Sequence, residues 1–424
     1  MRRGRRVRVP AERHAGAGGR RSRQPGQSGR HQVARGARWT CRTRKRRSAF
    51  APSCARTSRR ASRARSRPRT STTSSCGCSS SSAACTRATG SASTGQQYGG
   101  RDATPMQQAI FAEEMARVRA PQIVNRVAIN NVGPTLMHFG TEEQKKRYLP
   151  GMLSGDEIWC QLYSEPGAGS DLASLRTRAE LDGDDYVVTG QKVWTSYAQH
   201  ARWAILLART DPDARQHRGI SYLIVDMRAP GIELRPLRQM TGASEFNEVF
   251  MDAVRVPRAN LIGAANEGWR IAQVTLAHER GTNYAIKEQV IARINVDELL
   301  AQATQAGRSS ERNVRQRLAQ LYLETEIMRF MNLEMLTRVG RGETPGAETS
   351  IVKTFWADLS QAIGDAGVEL LGDHGLLLRG SPHSVKSGRF AQHLMFSRAA
   401  TIAGGTSEIQ RNIIAQRMLG LPRS

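Results

Sequence analysis

The amino-acid sequence predicts an α+β protein in which a β-domain lies between two helical domains. Apolar residues recur at three- and four-residue spacing up to about residue 156, which is typical of helices. The spacing shortens to two in 157–262 and returns to the helical period in 263–424. Residues 1–95 follow neither pattern. We therefore expect an N-terminal segment (1–95) followed by domains at 96–156, 157–262 and 263–424.

The first hundred residues differ from the rest of the chain in charge and cysteine content. They hold 24 Arg, one Lys and a single acid, Glu12, whereas residues 101–424 hold 38 basic and 36 acidic residues. The net charge of +26 therefore belongs to the N-terminus, and the nearly neutral remainder argues against a nucleic-acid-binding protein. Only Cys160 of the six cysteines lies beyond residue 100, which indicates a reducing, cytoplasmic setting.

Segment 1–95 has too few large apolar residues to offset the entropy cost of ordering it. Three interpretations stay open: a disordered basic tail that binds nucleic acid, an organelle transit peptide, and a coding region read out of frame. The abrupt change near Gln96 favours the third. Cys76 and Cys78 are too close for the usual metal-binding spacing, so we expect no metal site. No run of 18 apolar residues predicts a membrane span.

Helix-forming residues predict the first helical domain. Apolar spacing indicates helices at 107–116 and 124–139. Thr141 and Gln144 have the spacing of a capping box, which starts a short helix. Because proline interrupts helices, we expect that helix to end before Pro150.

Alternating apolar residues predict an antiparallel β-barrel domain in the middle of the chain. Asp182-Gly183-Asp184-Asp185 is a hairpin signal, and no helical segment separates the strands, as parallel βαβ units would require. The predicted strands are 179–181, 186–189, 193–196, 203–207, 220–225 and 248–251.

Long helical patterns with short connections predict a four-helix bundle at the C-terminus. The predicted helices are 267–300, 311–340, 346–371 and 406–418, with a shorter one near 384–400.

Three segments carry residues suited to chemistry. Residues 164–171 read Ser-Glu-Pro-Gly-Ala-Gly-Ser-Asp, and residues 404–410 read Gly-Gly-Thr-Ser-Glu-Ile-Gln. Their glycines allow the backbone to approach a ligand closely, although an ordinary β-turn and a plain capped helix explain them equally well. In the second segment, Ser407 and Gln410 have capping-box spacing. The third segment, residues 192–196, reads Lys-Val-Trp-Thr-Ser, and its Trp194 either covers a flat ligand or packs in the core.

The sequence of these segments resembles the acyl-CoA dehydrogenase family of flavoenzymes. The resemblance covers residues from about 96 to the end and implies an N-terminal helical domain, a middle β-barrel domain and a C-terminal four-helix domain. Because 1–95 stands in place of the first family helices, the N-terminal domain would be truncated. The family uses FAD, so FAD is the expected cofactor.

The resemblance also implies roles for individual residues. Ser164 would bond the edge of the flavin ring, Ser196 would donate a hydrogen bond near its N5, and Ser170 would meet the acyl-CoA. Arg280 is expected near the CoA portion, and the turn at Gly404 and Gly405 near the substrate thioester. The residues expected to bind FAD are Gln161, Tyr163, Ser164, Gly169, Trp194, Thr195, Ser196, Glu369, Gly372, Thr406 and Glu408.

The position of the catalytic base differs from many family members. Those members carry a glutamate immediately before the Gly-Thr pair, where this chain has Gly404, which cannot abstract a proton. Glu279 continues an apolar helical stripe through Trp269, Ala272 and Leu276. Burial on such a stripe would raise its pKa, as suits a base, while a salt bridge is the alternative. Some members carry a similar Glu-Arg pair, so we expect Glu279 to be the base.

Other departures affect the adenosine end of FAD. Residues 368–375 resemble the Gln-x-x-Gly-Gly-x-Gly loop that reaches the neighbouring subunit's FAD, but Glu369 replaces the Gln and Asp373 the second Gly. The family's Arg-x-x-Phe-Gly segment has no clear match near Arg308.

The expected function is FAD-dependent α,β-dehydrogenation of an acyl-CoA thioester to the 2-enoyl-CoA. The resemblance implies electron-transferring flavoprotein as acceptor and assembly as a homo- or heterotetramer. Two alternatives remain: a non-catalytic or half-site subunit of a heteromer, suggested by Gly404 and the altered loops, and a basic nucleic-acid-binding protein. No nucleic acid and no membrane are expected as partners of the neutral remainder.

Overall fold

The computed structural model describes residues 95–123, 125–279, 282–343 and 345–422. Segment 1–95 lies outside the described residues apart from Gly95, and so does Arg280. The elements follow the predicted order of helices, strands and helices.

Among the described residues, three α-helices precede the sheet: α1 (Pro105–Arg117), α2 (Gly133–Phe139, preceded by a π-helical turn, Ala128–Val132) and α3 (Glu142–Ser154). The capping box of α3 is confirmed, since the Thr141 hydroxyl accepts from the Gln144 amide and the Gln144 side chain accepts from the Thr141 amide. The expected end before Pro150 is wrong, because α3 continues through it. Leu149, Met152 and Leu153 are buried, and this packing outweighs the lost helical hydrogen bond.

Seven strands form one mixed sheet in the middle of the chain. They are β1 (Trp159–Leu162), β2 (Arg178–Asp182), β3 (Asp185–Ser196), β4 (Trp203–Arg209), β5 (Ile220–Asp226), β6 (Ile232–Leu237) and β7 (Phe246–Pro257). The order is β1-β4-β2-β3-β7-β6, with β5 also paired to β4. The hairpin turn is confirmed, since Asp182 pairs with Asp185 around Gly183 and Asp184.

The sheet departs from the prediction in three places. β1 and β4 pair in parallel, because the β2–β3 hairpin separates them in the chain and supplies the long connection that a parallel pair requires. Two predicted strands, 186–189 and 193–196, belong to the single strand β3. The sequence also missed the four-residue β1 and the edge strand β6, whose Pro236 is tolerated at an edge.

Both faces of the sheet are buried at its centre. Along β4, Trp203, Ile205 and Leu207 pack with α2, α3 and the helix that follows the sheet, whereas Ala204 and Leu206 pack on the opposite face. A strand covered on both faces reads as a continuous apolar run, as β4 does. The sheet is therefore a rigid platform for the segments at its strand ends.

Six helices follow the sheet: α4 (Gly268–Glu279), α5 (Thr282–Gln305), α6 (Arg312–Gly340), α7 (Glu348–Leu371), α8 (Arg389–Ser397) and α9 (Ser407–Ile413). The predicted helix 267–300 is thus described as α4 and α5. A π-helical turn, Ile414–Met418, ends the predicted helix 406–418. Helices α5, α6, α7 and α8 share one apolar core. None of the helices in the described part of the chain is long and apolar enough to cross a membrane.

Candidate active site

Two of the predicted flavin-binding segments meet in the structure. The first, which we call the β1 loop, comprises residues 161–170 at the end of β1, and the second is the end of β3 at 192–196. The Val193 amide donates to the Ser164 carbonyl at 2.9 Å. The sequence places these segments some thirty residues apart, and only the fold makes them neighbours.

A buried ion pair also joins these segments. The Lys192 ammonium donates to the Glu165 carboxylate at 2.9 Å and to the Tyr163 carbonyl at 3.0 Å. Burial alone would raise the pKa of Glu165, but Lys192 and the amides of Arg176 and Thr177 outweigh it and lower that pKa. Burial lowers the pKa of Lys192 to about 8 against the attraction of Glu165. Each group therefore stabilises the charged form of the other.

The β1 loop turns tightly after the ion pair. Glu165 and Ala168 exchange two backbone hydrogen bonds of 3.0 Å around the turn. A Cβ added at Gly169 would meet no atom of the described residues within 4 Å, and Ser170 is exposed. The loop therefore leaves open space where the sequence predicts the acyl-CoA.

The end of β3 holds Trp194 in an unusual conformation. Its φ is +60°, a left-handed value that is rare for a bulky residue, and the strand register shifts between Lys192 and Thr195. Trp194 is 61% exposed, and its ring stands nearly perpendicular to that of Phe246, with the two centroids 6.1 Å apart. Strain that exposes a large aromatic face is typical of a ligand-binding position. Ser196 beside it is half-buried.

Buried hydroxyl groups link β1 to α4. The Tyr163 hydroxyl donates to that of Tyr222 at 3.0 Å, and Tyr222 lies 3.2 Å from the Thr275 hydroxyl, which lies 2.9 Å from that of Thr135. Burial raises the pKa of Tyr222 to about 12. The hydroxyl chain therefore stays protonated and keeps α4 in register with β1. Gln161, also in β1, accepts a 3.1 Å bond from the Asn131 amide group.

Glu279 lies at the C-terminal end of α4, one turn beyond Thr275, and is half-buried. Burial raises the pKa of Tyr163 well above its ordinary value, and the Glu279 carboxylate adds to the shift. Glu279 acts on Tyr284 in the same way. The structure therefore places Glu279 within electrostatic reach of the β1 loop. Its own raised pKa stays a prediction, and Arg280 lies outside the described residues.

The Gly404–Glu408 turn is held by α7. Lys353 donates to the Gly405 carbonyl at 2.7 Å, and both glycines have positive φ. The predicted cap at Ser407 is wrong, because the N-cap is Thr406, whose hydroxyl accepts from the Ile409 amide at 3.3 Å. Gln410 instead donates back to the Gly404 carbonyl at 2.8 Å. Glu408 is exposed on the first turn of α9.

Glu369 and Gly372 lie at the other end of α7. They are 16 and 19 residues beyond Lys353, so about 24 Å or more of helix separates them from the Gly404–Glu408 turn. Arg308 donates to the Leu370 carbonyl at 2.8 Å, and Glu369 acts on it electrostatically. Glu369 and Gly372 thus stand at the end of α7 opposite to the Gly404–Glu408 turn.

The residues at the sheet fit a flat, acceptor-rich cofactor such as FAD. An exposed indole face, an open loop glycine and the half-buried hydroxyls of Ser164 and Ser196 surround the junction. The buried hydroxyl of Thr195 has no hydrogen-bond partner among the described residues, and the same holds for that of Ser407. Unsatisfied buried hydroxyls are uncommon and point to an additional partner.

Sequence reasoning missed several residues that hold the site together. Glu165 and Lys192 stood inside the quoted motifs but were given no role. Tyr222 and Thr275 lie on separate elements, and no motif marks them. Lys192 stands in a strand that also carries Asp185, Thr189 and Gln191, so nothing in the sequence marked it as buried.

Sequence models of three domains match the chain. They describe the acyl-CoA dehydrogenase N-terminal domain at residues 90–156, the middle domain at 160–254 and the C-terminal domain at 266–419. Among curated proteins, the acyl-CoA dehydrogenase IpdE1 of Mycobacterium tuberculosis is 40% identical over 331 residues, covering 77% of this chain and 83% of IpdE1.

Solved structures give the same result. The Tcur3481–Tcur3483 steroid ACAD superposes with a TM-score of 0.79 at 32% identity, covering 90% of this chain and 98% of that chain. The ChsE4–ChsE5 complex from Mycobacterium tuberculosis has a TM-score of 0.78 at 33% identity, with coverages of 92% and 100%. Both similar structures are assemblies of two different named proteins.

Proposed function

Because the chain belongs to the acyl-CoA dehydrogenase family of FAD-dependent oxidoreductases acting on CH–CH groups, we propose that it desaturates the α,β bond of an acyl-CoA thioester. The product would be the 2-enoyl-CoA. The observation that supports this reaction best is the position of Glu279, at the end of a helix that a hydroxyl chain ties to β1. A carboxylate held beside the flavin segments is the group that the reaction requires.

Glu279 removes the α-proton in this proposal. The glycine at 404 has no acid–base group, and the electrostatic effect of Glu279 on Tyr163 supports Glu279 for this role. FAD, when bound, accepts the β-hydrogen as hydride. The backbone N–H groups of the Gly404–Glu408 turn stand at the start of α9, where a developing negative charge on the thioester oxygen is stabilised.

We propose that the cofactor is held by the two flavin segments, the β1 loop and the end of β3. Trp194 and the hydroxyls of Ser164 and Ser196 hold the flavin ring, with Gln161, Tyr163, Gly169 and Thr195 supporting this site. Because the Tyr163 hydroxyl is engaged with Tyr222, Tyr163 contributes through its backbone. Ser170, Arg280, Gly404 and Gly405 contact the substrate, and Thr406 and Glu408 lie on the flavin side of the turn.

We propose a steroid-derived acyl-CoA as the substrate class. The support is similarity, because a structure described as a steroid ACAD is among the neighbours at 32% identity over 90% of this chain. A straight-chain fatty acyl-CoA is the alternative, which the fold accommodates equally well.

We also propose that the chain works as a tetramer with a second, related subunit. Both similar structures are named for two proteins, and the loop that carries Glu369 and Gly372 resembles the family loop that reaches the neighbouring subunit's FAD. An apolar ridge on α6 supports assembly. Leu323 is 57% and Phe330 is 63% exposed, and Ile327 and Leu333 lie between and beyond them at helical spacing. Electron-transferring flavoprotein is the proposed acceptor, and the cytoplasm the proposed location.

An anaerobic titration tests this function. The purified FAD-loaded protein is mixed with a steroid side-chain acyl-CoA, a straight-chain acyl-CoA of matched carbon number, and free CoA, and the visible flavin absorption is followed. We expect bleaching with the steroid thioester and none with free CoA. Bleaching only with the straight-chain thioester would overturn the substrate class, and no bleaching in the presence of the second subunit would overturn dehydrogenation.

A further inference from the structure

The buried pair Lys192 and Glu165 has no part in the chemistry proposed for the site. The Lys192 side chain is 0% exposed and that of Glu165 8%. Removing two charges from water costs free energy that their mutual attraction often fails to recover, so a buried ion pair is weak evidence for stability. Its location in the fold offers a better explanation of why it is there.

The pair lies at the junction of the two flavin segments. Lys192 binds Tyr163 and Glu165, and the next residue, Val193, binds Ser164. Three consecutive residues of the β1 loop are therefore held by two consecutive residues of β3. Every one of these contacts is between 2.9 and 3.0 Å.

Glu165 is itself fixed from the opposite side. Its carboxylate accepts from the Arg176 amide at 2.7 Å and from the Thr177 amide at 2.9 Å. With the Lys192 ammonium, these amides satisfy both carboxylate oxygens. A buried polar network whose members are all satisfied is rigid, because no member can rotate without losing a partner.

Rigidity matters here because β3 becomes irregular directly after Lys192. The register with β7 shifts between Lys192 and Thr195, and Trp194 takes its left-handed φ within that interval. The regular sheet ladder therefore does not determine where the Trp194 ring stands relative to Ser164. The ion pair lies immediately before the irregular segment, and the Val193–Ser164 hydrogen bond is the first contact inside it.

We infer that Lys192 and Glu165 are positioning residues that set the distance between Ser164 and Trp194, and with it the affinity and the electronic environment of bound FAD. This inference rests on the proposed assignment of both segments to the flavin. Neither side chain touches the reacting atoms.

The test compares four proteins by FAD affinity, by the visible spectrum of bound FAD and by the thermal midpoint of the apoprotein. They are the parent, Lys192→Arg, the double variant Lys192→Met with Glu165→Gln, and Arg255→Met. The double variant removes both charges and so leaves no unpaired buried ion. Arg255→Met is the matched control, because Arg255 pairs with Asp182 and Asp185 at the opposite end of β3.

We expect the double variant to bind FAD at least tenfold more weakly than the parent and to shift the flavin absorption bands, with a thermal midpoint close to that of the parent. Lys192→Arg keeps the charge but changes the donor geometry, so we expect a smaller loss of affinity and a stable fold. Arg255→Met should match the parent in both flavin measurements.

Unchanged affinity and spectrum in a folded Lys192→Arg protein, or in the double variant, would overturn the inference. If the double variant does not fold, Lys192→Arg alone decides. A parent that binds FAD normally but never bleaches with any acyl-CoA would overturn the proposed reaction and leave the positioning role standing. Equal FAD affinity in all four proteins would show that the flavin contacts lie elsewhere, and it would overturn the inference.

Discussion

The sheet and the helices build their parts of the site in different ways. At the sheet, the β1 loop and the end of β3 are joined by hydrogen bonds within the protein core, and a buried ion pair reinforces them. In the helical part, the Gly404–Glu408 turn and the Glu369–Gly372 segment lie at opposite ends of α7. The sheet segments are thus joined within one chain, whereas the two predicted helical segments lie apart.

The difference explains the contrasting surfaces of the two parts. The centre of the sheet is covered on both faces. Helix α6, in contrast, keeps an apolar ridge exposed. We therefore expect the sheet to keep its structure when a partner subunit is lost, and we expect the helical part around α6 to be destabilised.

Replacing the base is expected to have the largest effect. Glu279→Gln keeps the shape of the side chain but removes its basicity, so turnover should fall by about 10²- to 10⁴-fold with FAD still bound. Stopped-flow bleaching of the flavin measures this. Glu267→Gln, an exposed residue at the start of the same helix region, is the control and should be nearly neutral. Normal bleaching by Glu279→Gln would remove the residue from the mechanism.

Charging the α6 ridge should weaken assembly without unfolding the sheet. Phe330→Glu places a charge in the proposed contact, so the dissociation constant should rise about tenfold or more, as at a central interface residue. Analytical ultracentrifugation with and without the second subunit measures it. Leu181→Glu changes an exposed leucine of β2 and serves as the control. Equal assembly of both variants would show that the ridge is not an interface.

Breaking the hydroxyl chain should destabilise the sheet and disturb the base together. Tyr222→Phe leaves buried hydroxyls without a partner, at a cost of about 1–3 kcal/mol in the free energy of unfolding. Urea denaturation measures the cost, and turnover should also decrease because α4 is less firmly held. Tyr148→Phe removes a hydroxyl bound to Asn260, away from α4, and should spare turnover. Turnover unchanged in Tyr222→Phe would contradict the proposed link to α4.

Gly404 and Gly169 allow the effect of backbone strain to be separated from the effect of space for a side chain. A Cβ at Gly404 or at Gly169 meets no described atom within 4 Å, but only Gly404 has a left-handed φ, of +67°. Gly404→Ala should therefore cost about 1–2 kcal/mol of unfolding free energy, whereas Gly169→Ala should be neutral or stabilise by up to about 1 kcal/mol. Thermal denaturation of the two apoproteins compares them directly. Equal costs would mean that the left-handed conformation is not what matters at Gly404.

The smallest effect concerns acid stability. The pKa of Glu165 in the folded protein lies below its ordinary value of 4.5, so its stabilising contribution is present above that value and is lost as the pH falls through the lowered pKa. The double variant Lys192→Met with Glu165→Gln lacks this contribution and leaves no unpaired buried ion. The stability of the parent should therefore fall relative to that of the variant as the pH falls below 4.5. Urea midpoints at pH 7, 5 and 4 measure it, and a constant difference would refute the assignment.

The sequence predicted the sheet best where local signals were strong. The Asp182–Asp185 hairpin and the strand at 203–207 were found because turn chemistry and apolar runs are local properties. β1 was missed because four residues are too few to show a period, and Pro150 was read as a helix end because its penalty is local while the packing that overcomes it is not.

For the site, the motifs identified the residues but not their contacts. The resemblance alone assigned a role to Glu279, since its apolar stripe equally predicts a salt bridge. The helix cap was placed one residue late, at Ser407, because neighbouring Thr and Ser residues offer almost the same signal.

The sequence by itself determined the order of the domains, the contrast between 1–95 and the rest, and the family to which the chain belongs. The period of the apolar residues, the charge and the short motifs are properties of the linear sequence. They can therefore be recognised without any tertiary contact. Only the tertiary structure decided that Lys192 meets Glu165 and that Tyr222 connects β1 to α4. It also decided that the Gly404–Glu408 turn and Gly372 lie at opposite ends of α7. The physical reason is that such contacts join residues far apart in sequence, and their free energy depends on burial that exists only once the chain has folded.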